Sequence, residues 1–126
     1  MAILGVDFGE RYLGLALSQG ELGEPLGVIY NTKDVFVKIK DLVKRHDVEK
    51  VVLGLPEGVL KDKAISFGGE LSKRLELPIF YVSEVYTSRE AQDKLIAAKT
   101  TKKKRHQRVH AAAAALILEA FLAGNK

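Results

Sequence analysis

The stretch Ile3-Leu4-Gly5-Val6-Asp7-Phe8-Gly9-Glu10-Arg11-Tyr12-Leu13-Gly14-Leu15-Ala16-Leu17-Ser18 constrains the fold more than any other part of the chain. A short apolar run ends in a carboxylate. A glycine-bearing turn follows, and a second apolar run returns. That pattern predicts a β-hairpin with strands over 3–7 and 13–18. Asp7 then stands at the end of the first strand. A carboxylate placed there costs stability unless a cation, a metal or a hydrogen-bond network compensates it. The plainer alternative is an acid that accepts backbone N–H groups from the 9–11 turn. Gly9 and Gly14 fit a tight turn and close packing.

The remaining pattern extends the hairpin into an α/β sheet. Leu26–Tyr30 reads as a third strand. Asn31 or Thr32 is placed to cap a helix whose apolar positions Val35, Phe36, Ile39, Leu42 and Val43 follow helical spacing. The unalternating run Lys50–Leu55 suits a strand buried on both faces. A second helix is expected from near Asp62 to Leu75, with Ile65, Leu71 and Leu75 inward. Pro78 precedes a fifth strand, Ile79–Ser83. Thr87 and Glu90 have the form of a capping box, so a helix to about Ala98 is expected. Val109–Ala123 makes a final helix, apolar almost all round and therefore buried. The expected order is β-β-β-α-β-α-β-α-α: three antiparallel strands, then two parallel strands added by helical crossovers. Such a sheet gathers functional groups outside the carboxyl ends of its strands, where Asp7 and Glu84 would both lie.

Charge is unevenly placed. The chain has 126 residues, 20 Lys+Arg and 16 Asp+Glu. Six of the bases fall between Lys99 and Arg108, where there is no acid. All of the positive excess therefore sits in one segment, which includes Lys102, Lys103, Lys104, Arg105 and Arg108. It reads either as a solvated loop or as a phosphate-binding loop. The length suits one domain over 1–126. There is no cysteine, hence no disulfide framework or thiolate zinc site. No apolar run approaches the roughly 20 residues that span a bilayer. The chain opens directly into a strand with no signal-like segment, so a cytoplasmic location and no membrane association are expected.

Gly5-Val6-Asp7-Phe8-Gly9, Gly14-Leu15-Ala16-Leu17-Ser18, Val51-Val52-Leu53-Gly54-Leu55-Pro56, Glu84 with Thr87-Ser88, and the Ala-rich last helix together resemble the YqgF/RuvX family. The resemblance covers nearly the whole chain and implies a ribonuclease H-like fold. Members of that family are assigned as Holliday junction resolvases or as nucleases maturing the 5′ end of 16S ribosomal RNA. It further implies divalent-metal-dependent hydrolysis of phosphodiester bonds, with carboxylates as ligands. Carried over by position, Asp7 matches the family's first acid and Glu84 the Glu of an Asp-Glu-Arg triplet. Here that triplet reads Ser83-Glu84-Val85. His110 stands where the family has an Asp before a small-residue run. The resemblance thus implies catalytic and metal-binding roles for Asp7, Glu84 and His110. Mg²⁺ or Mn²⁺ would be the cofactor, and an imidazole ligand favours Mn²⁺. Arg11 and the basic segment would contact the phosphates of pre-rRNA or branched DNA. Resolving a two-fold junction would suit a homodimer, whose interface cannot be read from the residues.

Two other functions fit parts of this pattern. With Ser83 and His110 replacing acids, the same fold would serve as a nucleic-acid-binding module with weakened or no catalysis. Asp-x-Gly before a hairpin also resembles the first phosphate loop of actin-like kinases. Those need a second domain, for which the chain is too short.

Overall fold

The computed structural model describes residues 2–20, 22–83 and 102–124, with side chains described from 110 onward in the last stretch. Five strands form one sheet: β1 (Ala2–Asp7), β2 (Tyr12–Ser18), β3 (Gly23–Tyr30), β4 (Val48–Leu55) and β5 (Ile79–Ser83). Their order is β3-β2-β1-β4-β5. β1 pairs antiparallel with β2 and β2 with β3, whereas β4 runs parallel to β1 and β5 parallel to β4. The mixed sheet is therefore the expected one. Three helices are described: α1 (Val35–His46), α2 (Val59–Leu75) and α3 (Lys102–Gly124). The helix expected between Thr87 and Ala98 lies outside the described residues.

The alternation along β1 separates two cores. Leu4 and Val6 face one side, where they join Leu13, Leu15, Val51, Leu53 and the inner faces of α1 and α2. Ile3, Ala16, Val52, Phe80 and Val82 face the other side and meet α3 through Ala114, Ile117, Leu118 and Phe121. β4 is buried on both faces from Val51 to Gly54, as its unalternating sequence requires.

Several boundaries differ from expectation. β3 starts at Gly23 rather than Leu26. Pro25 lies inside it, opposite Ala16, with a bulge between Leu15 and Ala16. An edge strand tolerates proline because its outward N–H has no ladder partner. Neither Asn31 nor Thr32 caps α1 with its side chain; the cap position is Asp34, without a side-chain cap bond. The Thr32 hydroxyl bonds the Asp34 carboxylate. Asn31 instead donates its side-chain amide to the Gly9 carbonyl at 2.9 Å. α2 begins three residues before the expected start, behind Gly58 with φ 76°. Its buried positions are Ala64, Phe67, Gly68 and Leu71, and Ile65 is exposed rather than inward. Gly68 decides that face, because a Cβ there would lie 2.5 Å from the Tyr81 hydroxyl.

The basic segment is also corrected. Residues 102–108 are the first turns of α3, not a loop interrupting two helices. Lys and Arg are good helix formers, so a run of them continues a helix as readily as it ends one.

Candidate functional site

The site lies at the carboxyl end of β1. Asp7 is the last residue of that strand and is 5% exposed. It pairs in register with Gly14 on β2 and Gly54 on β4. Gly54 in turn pairs with Val82 on β5. This row carries the Asp7 side chain on the same face as α3.

α3 brings His110 onto that carboxylate. The His110 Nδ1 lies 2.9 Å from Asp7 Oδ2. Glycines permit this approach. A Cβ on Gly14 would fall 2.0 Å from the His110 carbonyl oxygen, and one on Gly5 would fall 2.8 Å from the Ala114 carbonyl oxygen. The helix backbone therefore rests almost directly on β1 and β2. Ala111, Ala113, Ala114 and Ala115 are buried along it, so the small-residue run allows this contact from the helix side.

The turn after Asp7 is held from β3. Besides the Asn31 bond to Gly9, the Asn31 backbone N–H donates to the Arg11 carbonyl at 2.8 Å. Phe8 anchors the same turn on the opposite face, 5.2 Å from Phe67. Tyr12 follows, its ring 6.2 Å from His110 and 5.1 Å from Tyr30.

Burial pushes the Asp7 carboxyl above its ordinary value of 3.8, while the hydrogen bond and charge of His110 pull it partly back. A buried acid raised this way lacks full compensation. Its partner is the His110 imidazole, and the two form an oxygen-and-nitrogen donor pair of the kind that a divalent cation takes. Among the described residues no three His, Cys, Asp or Glu side chains converge.

The expected site residues are therefore brought together in part. Asp7 and His110 meet directly. Glu84 lies outside the described residues, beyond Ser83 at the end of β5. Arg11 is exposed on the turn beside the site. Lys102, Lys103, Lys104, Arg105 and Arg108 lie on the helix turns that lead into His110, and their side chains are not among those described. The sequence reading missed the role of Asn31 and the pair Tyr12–Tyr30. Their signal was present in the strand register, since residues 12 and 30 face each other across β2 and β3.

A separate groove of about 640 Å³ lies at the other end of the sheet, lined by Leu17, Gln19, Leu22, Glu24, Pro25, Leu26 and His46. It is open and far along β2 from Asp7, and among the described residues it brings together only Glu24 and His46 as metal-binding types. Its size does not make it the chemical centre. The described helices include none long and apolar enough to cross a membrane.

The chain is similar to known proteins. A family model described as "RuvX: Holliday junction resolvase" matches residues 1–124. A protein of Syntrophus aciditrophicus named "Putative pre-16S rRNA nuclease" is 35% identical, over 97% of this chain and 88% of its own length. One of Desulforudis audaxviator with the same name is 33% identical, over 100% and 96%. Among solved structures, Thermus thermophilus RuvC in complex with a Holliday junction has a TM-score of 0.63 at 14% identity, covering 100% of this chain and 98% of that one. The fowlpox virus Holliday junction resolvase has a TM-score of 0.63 at 13% identity, covering 98% of each. At those identities the structural likeness speaks for the fold.

Proposed function

Because the chain belongs to the RuvX family, we propose that it is a metal-dependent nuclease hydrolysing phosphodiester bonds in structured nucleic acid. The observation that carries this is the buried carboxylate of Asp7 at the end of β1, bonded to His110. The names of the relatives above 30% identity support pre-16S rRNA as substrate. The family description supports a four-way DNA junction.

Asp7, His110 and Glu84 would hold a divalent cation, Mn²⁺ or Mg²⁺. When bound, it supplies charge stabilisation for the phosphate and a more acidic water. The chain's own groups prepare that chemistry. With no cation between them, an ionised Asp7 accepts the Nδ1 proton of His110 and fixes the ring, and a cation held by both groups would take the place of that proton. In that tautomer Nε2 keeps its lone pair and can take a proton from water. Arg11 and the bases from Lys102 to Arg108 would neutralise phosphates along the strand.

The test is a cleavage assay on pre-16S rRNA ends and on four-way junctions, with Mg²⁺ and Mn²⁺ compared. Wild type should cut one of them with Mn²⁺ preferred, and Asp7→Asn should be inactive. Equal cutting by Asp7→Asn would sink the assignment. The direct bond between Asp7 and His110, with no third His, Cys, Asp or Glu side chain converging on them among the described residues, also favours a second reading. On it the chain binds nucleic acid without cutting. Salt-dependent binding that ignores divalent ions and Asp7→Asn would select that reading.

A further inference from the structure

Tyr30 is a large aromatic that the fold leaves 52% exposed at the end of edge strand β3. It is not loosely placed. Its ring lies 5.1 Å from Tyr12, tilted by 44°. Tyr12 in turn lies 6.2 Å from His110, whose Nδ1 reaches Asp7. Residues 7, 12 and 30 occupy the same face of the sheet as α3, since Asp7 pairs with Gly14 and Tyr12 with Tyr30. The two bonds from Asn31 to Gly9 and Arg11 lock the end of β3 to the turn beside Asp7. The result is a fixed aromatic ledge that starts in solvent and ends at the candidate catalytic pair.

A cross-strand aromatic pair by itself stabilises a hairpin by only about 0.2–1 kcal/mol. Burial of both rings would serve that purpose better than half exposure of one. The open face of Tyr30, the adjacent Arg11 on the turn, and the basic turns of α3 instead suit a ligand with flat apolar faces and phosphates. We propose that the Tyr12–Tyr30 ledge stacks an unpaired nucleobase beside the candidate site at Asp7 and His110. This rests on the nuclease reading and deepens it. The site would take strands with unstacked nucleotides, at ends, gaps or branch points. A continuous duplex would be excluded, because its bases are already stacked on each other.

The experiment uses the full chain in chelator, so that nothing is cut. The probe is a duplex with a short single-stranded tail carrying 2-aminopurine, compared with a blunt duplex of equal length. Wild type should bind the tailed probe more tightly and quench its fluorescence. Tyr30→Leu should weaken tailed-probe binding by roughly 5- to 100-fold, the range for loss of one base–aromatic stack. Blunt-duplex binding should not change. Tyr30→Phe should bind and quench like wild type, which separates stacking from the hydroxyl. Circular dichroism checks that Tyr30→Leu is folded. Equal losses on both probes, or no loss on either, overturns the ledge. A wild type that shows the tail preference in chelator but cuts nothing in the assay with Mg²⁺ or Mn²⁺ leaves the ledge standing while the nuclease reading falls. A wild type that cuts in that assay, with no effect of Tyr30→Leu on binding in chelator, does the reverse.

Discussion

On one face of the sheet, α1 and α2 press Val35, Ile39, Phe67 and Leu71 against Leu4, Val6 and Leu13, and large side chains fill the space between the layers. On the other face α3 lies over Gly5, Gly14 and Gly23 so closely that its own carbonyls occupy the space of their absent Cβ atoms. The first kind of contact spreads its energy over many atoms, so the loss of one side chain leaves a cavity and little movement. The second has no slack, and any added atom must move a helix. Leu13 and Gly14 are neighbours in the chain yet belong to opposite faces. The large residues of the first face sustain the fold, and the glycines and alanines of the second set the distance between Asp7 and His110.

Gly14→Ala should break this comparison most strongly. Its Cβ would meet the His110 backbone at 2.0 Å, so a loss of about 3 kcal/mol or more is expected in denaturant melts. Leu13→Ala should cost a similar or smaller amount, about 2–5 kcal/mol for a buried leucine. The difference appears in function. At a temperature where both are folded, Leu13→Ala should cut at the wild-type rate and Gly14→Ala should not. Normal cutting by folded Gly14→Ala would mean that the glycine face does not set the site.

A smaller effect concerns pH. Because the carboxyl of Asp7 is raised in the folded state, its ionised form opposes folding. Its contribution to stability is complete below its ordinary value of 3.8 and is lost as pH rises through the folded value. Asp7→Asn should therefore melt higher than wild type at neutral pH, and the gap should close towards pH 4. A constant gap across that range would show that ionisation is not its origin. The smallest change should come from Glu10→Gln, which breaks an exposed pair with Lys63 at 3.4 Å. Less than about 0.5 kcal/mol is expected, measured in the same melts.

The strands could be read from the sequence because their pattern is carried by large residues. The two apolar runs around Asp7 and the unalternating run before Leu55 gave the central strands within one or two positions. Contacts made by glycine were harder to see. Ile65 looked inward by size and spacing, but Gly68 against Tyr81 turns α2 the other way. The closeness of Gly14 to a neighbour was legible in kind, while its neighbour, the backbone of His110, was not. The meeting of Asp7 and His110 spans 103 positions, and no local pattern encodes such a distance. The family resemblance set both residues in one site, and the geometry then supplied the bond between them. The start of α3 differs because a run of like charges reads as a loop, solvated or phosphate-binding, although Lys and Arg also continue a helix.

That longer α3 has a mechanical consequence. From Lys102 to His110 the helix rises about 12 Å, and at His110 it bears on Gly14 with no clearance. It is a lever whose fulcrum is the glycine and whose long arm carries the basic turns. A polyanion that shifted the arm would also tilt the imidazole against Asp7. On the proposed function, gripping the backbone of a substrate and squaring the Asp7–His110 pair would be a single motion of one rod.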